Sequence, residues 1–170
     1  YKLDGFDNNN IAVIKSTALP GTTEKFNKEC NNLQVLFNPE FLTEANFIND
    51  FKNQNRVIIG GPRPGTTKVK NLYRKCYPAA SIIKTGSNTA EMVKLLENTF
   101  RAINIGLVNE TAIMCEKLGI NVWEIIEAAG TKPFGFMKFT PPQKGLVHLV
   151  ISKLEVLKVD IYICLIPFDH

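Results

Sequence analysis

Apolar positions in the first half of the chain cluster in short runs separated by amphipathic stretches. Ile11 to Ser16 (IAVIKS), Gln34 to Phe37 (QVLF), Arg56 to Gly60 (RVIIG) and Ser81 to Lys84 (SIIK) are brief and rich in Val and Ile. Such runs suit strands buried on both faces of a parallel sheet. Between them, Thr22 to Asn31 and Thr66 to Cys76 are polar and amphipathic, and each is opened by a Pro-Gly-Thr-Thr helix signal. Strand alternating with helix predicts an α/β fold, with a partial Rossmann-like parallel sheet over residues 1–86.

From Asn88 the pattern turns helical. Asn88 with Glu91 three residues on predicts a capping box, and helix formers then continue to Leu118. Met92, Leu96, Phe100, Ile103, Leu107, Met114 and Leu118 fall within an arc of about 80° at ~100° per residue, which predicts one buried face. Gly119 is expected to end this helix. Asn121 with Glu124 should start another that runs through Ala129 and closes at Gly130. A helix of about 30 residues is roughly 45 Å long, more than one small domain covers. A second copy of the chain is therefore expected against it, and residues 87–137 read as an all-helical central dimerisation segment. Residues 138–170 diverge: Leu146 to Phe168 is apolar, and Leu157 to Ile163 (LKVDIYI) alternates as a strand would.

Composition narrows the classes. The 170 residues are 45% apolar and 21% charged with a net charge of +4, an ordinary globular balance. The lysines are spread evenly, which argues against a nucleic-acid face. No stretch reaches the roughly 18 apolar residues of a membrane span. Cys30, Cys76, Cys115 and Cys164 form no C-x-x-C pair, and His148 and His170 are the only histidines, so no metal site is expected. This cysteine usage suits a reducing cytoplasm. The chain opens at Tyr1 with no charged-then-apolar leader, and is expected to be an internal piece of a longer protein.

Four places carry more polar chemistry than packing alone asks for. Strand Ile11–Lys15 ends in Ser16, Thr17 and Ala18, where small hydroxyls can meet a ligand beyond a strand's carboxyl end, or can simply cap a turn. Asn38 to Glu44 (NPEFLTE) follows the second strand. Glu40 and Glu44, four apart, would share a helical face and suit acid–base work or hydroxyl binding, unless they are merely solvated. Glu91, Lys94, Asn98 and Arg101 form a polar stripe opposite the apolar face of the long helix, and a lysine with an asparagine one turn on can stabilise an oxyanion. An exposed charged face has the same spacing. Thr131 to Met137 (TKPFGFM) reads as an ordered loop.

Together these stretches resemble the UDP-glucose/GDP-mannose dehydrogenase family. The resemblance rests on VIKST-x-x-PGTT (Val13 to Thr23), NPEFLTEA with NRVIIGG (Asn38 to Gly61), AEMVKLLENTFRAINIGLVNE (Ala90 to Glu110) and LGINVWEIIEAAGTKPFGFM (Leu118 to Met137). It implies two Rossmann-like domains joined by a long dimerising helix, NAD as cofactor, and a UDP-sugar whose C6 alcohol becomes a carboxylate. The first two stretches look most like UDP-glucose 6-dehydrogenases and the last two more like UDP-N-acetylhexosamine 6-dehydrogenases. Ser16, Thr17 and Ala18 then match cofactor contacts, with Thr17 also near the catalytic water. Glu40 matches the acid–base group and Glu44 a glutamate near the cofactor. Glu40, Phe41, Leu42 and Glu44 match a substrate-binding segment. Lys94 matches the oxyanion-stabilising lysine, and Asn98 its helper and sugar contact.

The chain departs from the family pattern in three ways, one being that it shows no stretch resembling the family's C-terminal sugar-binding domain. It contains no G-x-G-x-x-G, the loop that holds a dinucleotide pyrophosphate on backbone N–H groups. After FGFM-x-F the family continues into a glycine-rich loop ending in a nucleophilic cysteine, whereas here Thr140-Pro141-Pro142-Gln143-Lys144 leads into an apolar tail. That tail is what a shifted reading frame or a truncated gene would produce. The thiol carries the second oxidation as a thioester, so the chain is expected to be incomplete by itself. A non-catalytic dimerising remnant and another β-hydroxyacid dehydrogenase-like protein are the alternative readings.

Overall fold

The computed structural model describes residues 10–30, 33–42, 46–139 and 163–166, the last four as backbone alone. In chain order the elements are β1 (Ile11–Ile14), α1 (Thr22–Glu29), β2 (Gln34–Phe37), α2 (Phe47–Lys52), β3 (Arg56–Gly60), α3 (Gly65–Cys76), β4 (Ser81–Thr85), α4 (Ser87–Leu118), α5 (Val122–Ala129) and β5 (Ile163–Ile166). A first compact unit includes the described residues 10–95 and 163–166, and a second includes 96–139, with α4 running through both.

In the first unit the strands lie in the order β4-β3-β2-β1-β5. β1 runs parallel to β2, with Ile11 opposite Gln34 and Ile14 opposite Phe37, and β3 runs parallel to β4. The Rossmann-like α/β class is as expected, but the sheet is mixed. β3 meets β2 antiparallel at Phe37 and Gly60, and β5 lies antiparallel to β1. Only the six-residue α2 lies in the β2–β3 connection, and an antiparallel neighbour does not need the long crossover that a parallel one demands. The strand expected over Leu157–Ile163 lies outside the described residues except at Ile163, where β5 begins.

Alternate residues of each strand feed two cores, as a pleat buried on both faces requires. Ala12, Ile14, Val35, Phe37 and Ile58 pack with Phe26 of α1 and with Ala90 and Val93 of α4. Ile11, Val13, Leu36, Val57 and Ile59 pack on the other face with Val69 and Tyr73 of α3. The end of β3 touches the first turn of α4 so closely that a Cβ on Gly60 would sit 2.5 Å from the Ala90 Cβ.

The start of α4 departs from the local reading. Glu91 does not close a capping box with Asn88. Its side chain is fully buried and reaches the amino terminus of α1. Oε2 accepts from the Gly21 amide at 2.8 Å, and Oε1 accepts from the Thr23 amide at 2.8 Å and the Thr23 hydroxyl at 2.6 Å. α1 has no side-chain cap from its own N-cap residue, Gly21, so a carboxylate from a distant helix supplies it.

That inward-facing acid reverses the two sides of α4. The row Met92, Leu96, Phe100, Ile103, Leu107, Met114 and Leu118, expected to be buried, is 48–71% exposed. The opposite stripe, which spacing alone allowed to be a solvated face, begins with two buried residues, Glu91 and Lys94.

In the second unit α4 ends at Gly119, whose φ of +68 admits glycine readily, and Asn121 caps α5 by accepting from the Trp123 amide at 3.0 Å. Glu124 meets the Asn121 side-chain amide at 3.1 Å. Residues 131–137 make a turn with Phe134 and Met137 exposed.

Replacing Glu91 by Gln should lower stability by about 2 kcal/mol, because a neutral amide puts its NH₂ against a donor and loses the charge-assisted bonds. Urea unfolding followed by circular dichroism checks this. An unchanged midpoint would show that the carboxylate is not what holds α1.

Candidate active site

The carboxyl ends of β1 and β2 carry the chemistry. β1 ends at Ile14, and Lys15, Ser16 and Thr17 follow as half-buried loop residues, with Ala18 buried in the core beneath. β2 ends at Phe37, and Asn38 to Leu42 continue without helix. The expected helical face shared by Glu40 and Glu44 is therefore not formed at Glu40, where Pro39 and pairing to β1 hold the chain extended; Glu44 lies outside the described residues. The Asn38 amide donates to the Ile14 carbonyl at 2.9 Å and the Glu40 amide to the Lys15 carbonyl at 3.1 Å.

Around Glu40 the side chains form one network. Lys15 Nζ lies 2.8 Å from Glu40 Oε1 and donates to Asn38 Oδ1 at 2.5 Å and to the Tyr73 hydroxyl at 2.8 Å. Tyr73 in turn donates to Asn38 Oδ1. Buried Asn38 donates through Nδ2 to the Ile58 carbonyl at 2.8 Å, which ties the network to β3. Glu40 Oε2 is shielded from solvent and finds no hydrogen-bond partner among the described residues. The carboxylate is thus held in one orientation, Oε1 on the Lys15 ammonium and Oε2 turned away from solvent.

Phe41 links this loop to α4. The Arg56 guanidinium lies 4.3 Å from its ring centroid and the Lys94 ammonium 5.1 Å, so two cations use the ring's π face. Lys94 is 8% exposed, a burial that lysine rarely reaches without favourable contacts. Asn98, one turn further along α4, is half-buried in the second unit. A cavity of about 410 Å³ opens beside the loop, lined by Asn38, Phe41, Leu42, Asp50, Asn55 and Arg56 among others. Neither Glu40 nor Lys94 lines it, so the hydrogen-bonded strand-end cluster, rather than this hollow, carries the case for chemistry.

The site also bears on a dinucleotide. Ser16 and Thr17 at the end of β1 suit the ring side of such a cofactor. The amino terminus of α1 does not suit its phosphates, because the Glu91 carboxylate already takes the Gly21 and Thr23 amides. Among the described residues, no cluster of histidine, cysteine, aspartate or glutamate could hold a metal ion, and no helix is long and apolar enough to cross a membrane.

A Rossmann-like sheet with small hydroxyls and a carboxylate beyond its strand ends, and a buried lysine on the following long helix, fits a class, the nucleotide-binding domains of dehydrogenases. Residues 3–77 match the NAD binding domain of the UDP-glucose/GDP-mannose dehydrogenase family and residues 88–146 match its central domain. The chain belongs to that family. It is 39% identical over 125 residues to the UDP-N-acetyl-D-mannosamine dehydrogenase of Methanococcus maripaludis, covering 73% of this chain and 29% of that protein. It is 34% identical over 165 residues to UDP-glucose 6-dehydrogenase 2 of Arabidopsis thaliana, covering 91% and 34%. Among solved structures, the UDP-D-ManNAc dehydrogenase of Pyrococcus horikoshii superposes with a TM-score of 0.69 at 37% identity, over 76% of this chain and 32% of that one. The chain thus spans about a third of the length of these relatives.

Sequence reasoning passed over Lys15, Tyr73 and Arg56. A strand-end lysine reads as solvated, and Tyr73 was part of an amphipathic helix with no further mark. Tyr77, stacked on Tyr73 at 6.1 Å, donates to the Phe51 carbonyl at 2.7 Å. Burial chiefly, with the Tyr73, Cys76 and Glu40 charges adding to it, raises its phenol above the ordinary tyrosine value of 10.0. The folded state therefore holds this proton to higher pH than the unfolded chain does. The resulting stability is intact below pH ~10 and is lost as pH climbs through the raised value. Denaturation midpoints of wild type and Tyr77→Phe should accordingly fall apart less above pH ~10 than below it, and phenolate absorbance at 295 nm reports the titration directly.

Proposed function

We propose that the protein acts in NAD-dependent oxidation of a UDP-sugar at its C6 alcohol, with residues 10–95 supplying the acid–base and oxyanion groups. The observation that carries this reading is a carboxylate, Glu40, held by Lys15 just beyond the carboxyl ends of β1 and β2, with the buried Lys94 meeting the ring of the next residue, Phe41. Glu40 takes the hydroxyl proton as C6 gives up hydride. Lys94 stabilises negative charge on the C6 oxygen, and Asn98, one helical turn on, assists as an amide donor. Thr17 positions the water that enters later, and Phe41, Leu42 and Glu44 border the sugar nucleotide. Bound NAD supplies the hydride acceptor, and Ser16, Thr17, Ala18 and Glu44 are its contacts from this chain. Relatives named for UDP-N-acetyl-D-mannosamine favour an N-acetylhexosamine substrate over UDP-glucose.

Absorbance of NADH at 340 nm tests the reading, with NAD⁺ and UDP-N-acetylmannosamine, UDP-N-acetylglucosamine or UDP-glucose in parallel. The chain by itself contains no G-x-G-x-x-G loop, so NADH should appear with an N-acetylhexosamine nucleotide once the chain is joined to the missing parts of a relative, and in that joined enzyme Glu40→Gln and Lys94→Ala should each lower the rate by about 100-fold or more. A folded joined enzyme that yields no NADH from any of the three sugars would refute it.

The exposed apolar row on α4 supports a homodimer formed through that helix, which is the form in which we expect the chain to work. Light scattering should give twice the chain mass, and Leu96→Lys with Ile103→Lys should halve it. A monomeric wild-type chain would sink the dimer.

A further inference from the structure

We infer that Lys15 is a positioning residue for Glu40, holding its carboxylate in one orientation through Oε1; this rests on the acid–base reading of Glu40 above. A lysine ammonium has three donors and no acceptor. At Lys15 all three are committed, to Glu40 Oε1 at 2.8 Å, Asn38 Oδ1 at 2.5 Å and the Tyr73 hydroxyl at 2.8 Å, with the Tyr73 ring centroid 5.4 Å away. Each acceptor comes from a different attachment. Asn38 is pinned to β3 through the Ile58 carbonyl, Tyr73 projects from α3, and Glu40 is tied by its own amide to the Lys15 carbonyl at 3.1 Å. Residue 15 thus grips Glu40 by both backbone and side chain.

The consequence is an unequal carboxylate. Oε1 is anchored on a cation whose side chain is 16% exposed, while Oε2 is enclosed with no partner among the described residues. A freely rotating glutamate would exchange its oxygens, whereas this one is held with Oε1 on the cation. A loop lysine kept only for solubility would point outward, and a purely structural one would not need the same carboxylate that the chemistry uses. The other ionisable groups around the pair are Tyr73 of α3 and Tyr77 just after that helix, while Arg56 and Lys94 approach the neighbouring Phe41. Lys15 is the cation in direct contact with Glu40 among the described residues.

The test uses the full chain with ¹³C at the glutamate side-chain carboxyls, comparing the Glu40 resonance at one neutral pH in wild type, Lys15→Met and Lys15→Arg. Removing the cation should displace the Glu40 resonance while the other glutamate resonances stay in place, and arginine should bring it most of the way back. A merely structural lysine would change the melting temperature without moving that resonance selectively. If Lys15→Met does not fold, Lys15→Gln keeps a donor for Asn38 and gives the same reading. A Glu40 resonance at the same position in wild type and the neutral variant overturns the inference and leaves the acid–base reading standing. Glu40→Gln retaining full NADH formation in the joined enzyme overturns that reading instead, whatever the resonance does.

Discussion

The Glu91 carboxylate sits fully buried on the Gly21 amide, the Thr23 amide and the Thr23 hydroxyl, at the positive end of α1. A carboxylate removed from water without partners would cost many kcal/mol, so it can be buried only where fixed donors and a helix dipole meet it. Those donors exist because the Pro-Gly-Thr-Thr loop turns the amides of α1 toward α4. Once Glu91 faces inward, the geometry of a 3.6-residue helix leaves little choice. Lys94, three residues on, turns toward the Glu40 loop, and the apolar row on the far side turns out to solvent. One ion–helix contact thereby orients the first turns of α4 and sets Lys94 over the Phe41 ring.

How much of this could be read beforehand follows from the range of each interaction. The four sheet strands and α3 to α5 were legible because their signals are local: apolar runs, Pro-Gly openings, and Asn121 and Gly119 at helix ends. The direction of β3 was not, since a buried strand has the same period whichever way it runs. α2 was missed because six residues between two asparagines carry no buried face to betray them. The capping box at Asn88 failed for a sharper reason. A glutamate three residues into a helix fits the local rule, yet this one spends its bonds on donors 68 and 70 residues away.

The site was half legible on the same grounds. Ser16, Thr17, Glu40 and Lys94 were singled out by residue type at strand ends and on one helical stripe, and in the fold Glu40 meets Lys15 while Lys94 meets the ring of Phe41. The network that tunes Glu40 was hidden because Lys15, Asn38 and Tyr73 converge from three elements. None of the three spacings is periodic, so no pattern along the chain could join them.

The reversed strand ties these observations together. Because β3 runs against β2, the NPEF segment leaves the end of β2 and travels back along β3 instead of crossing over the sheet. The pairing of Phe37 with Gly60, carried four residues further, sets Phe41 beside Arg56, which is where the ring and guanidinium meet at 4.3 Å. A parallel β3 would have required a crossover helix at that point, and Glu40 would have left the sheet edge. The same return path sends the Asn38 amide to the Ile58 carbonyl, which fixes the oxygen that Lys15 and Tyr73 share. The extended segment after β2 thus holds the proposed base within reach of Lys15, just beyond β1, while the ring of the next residue, Phe41, meets Lys94 of α4.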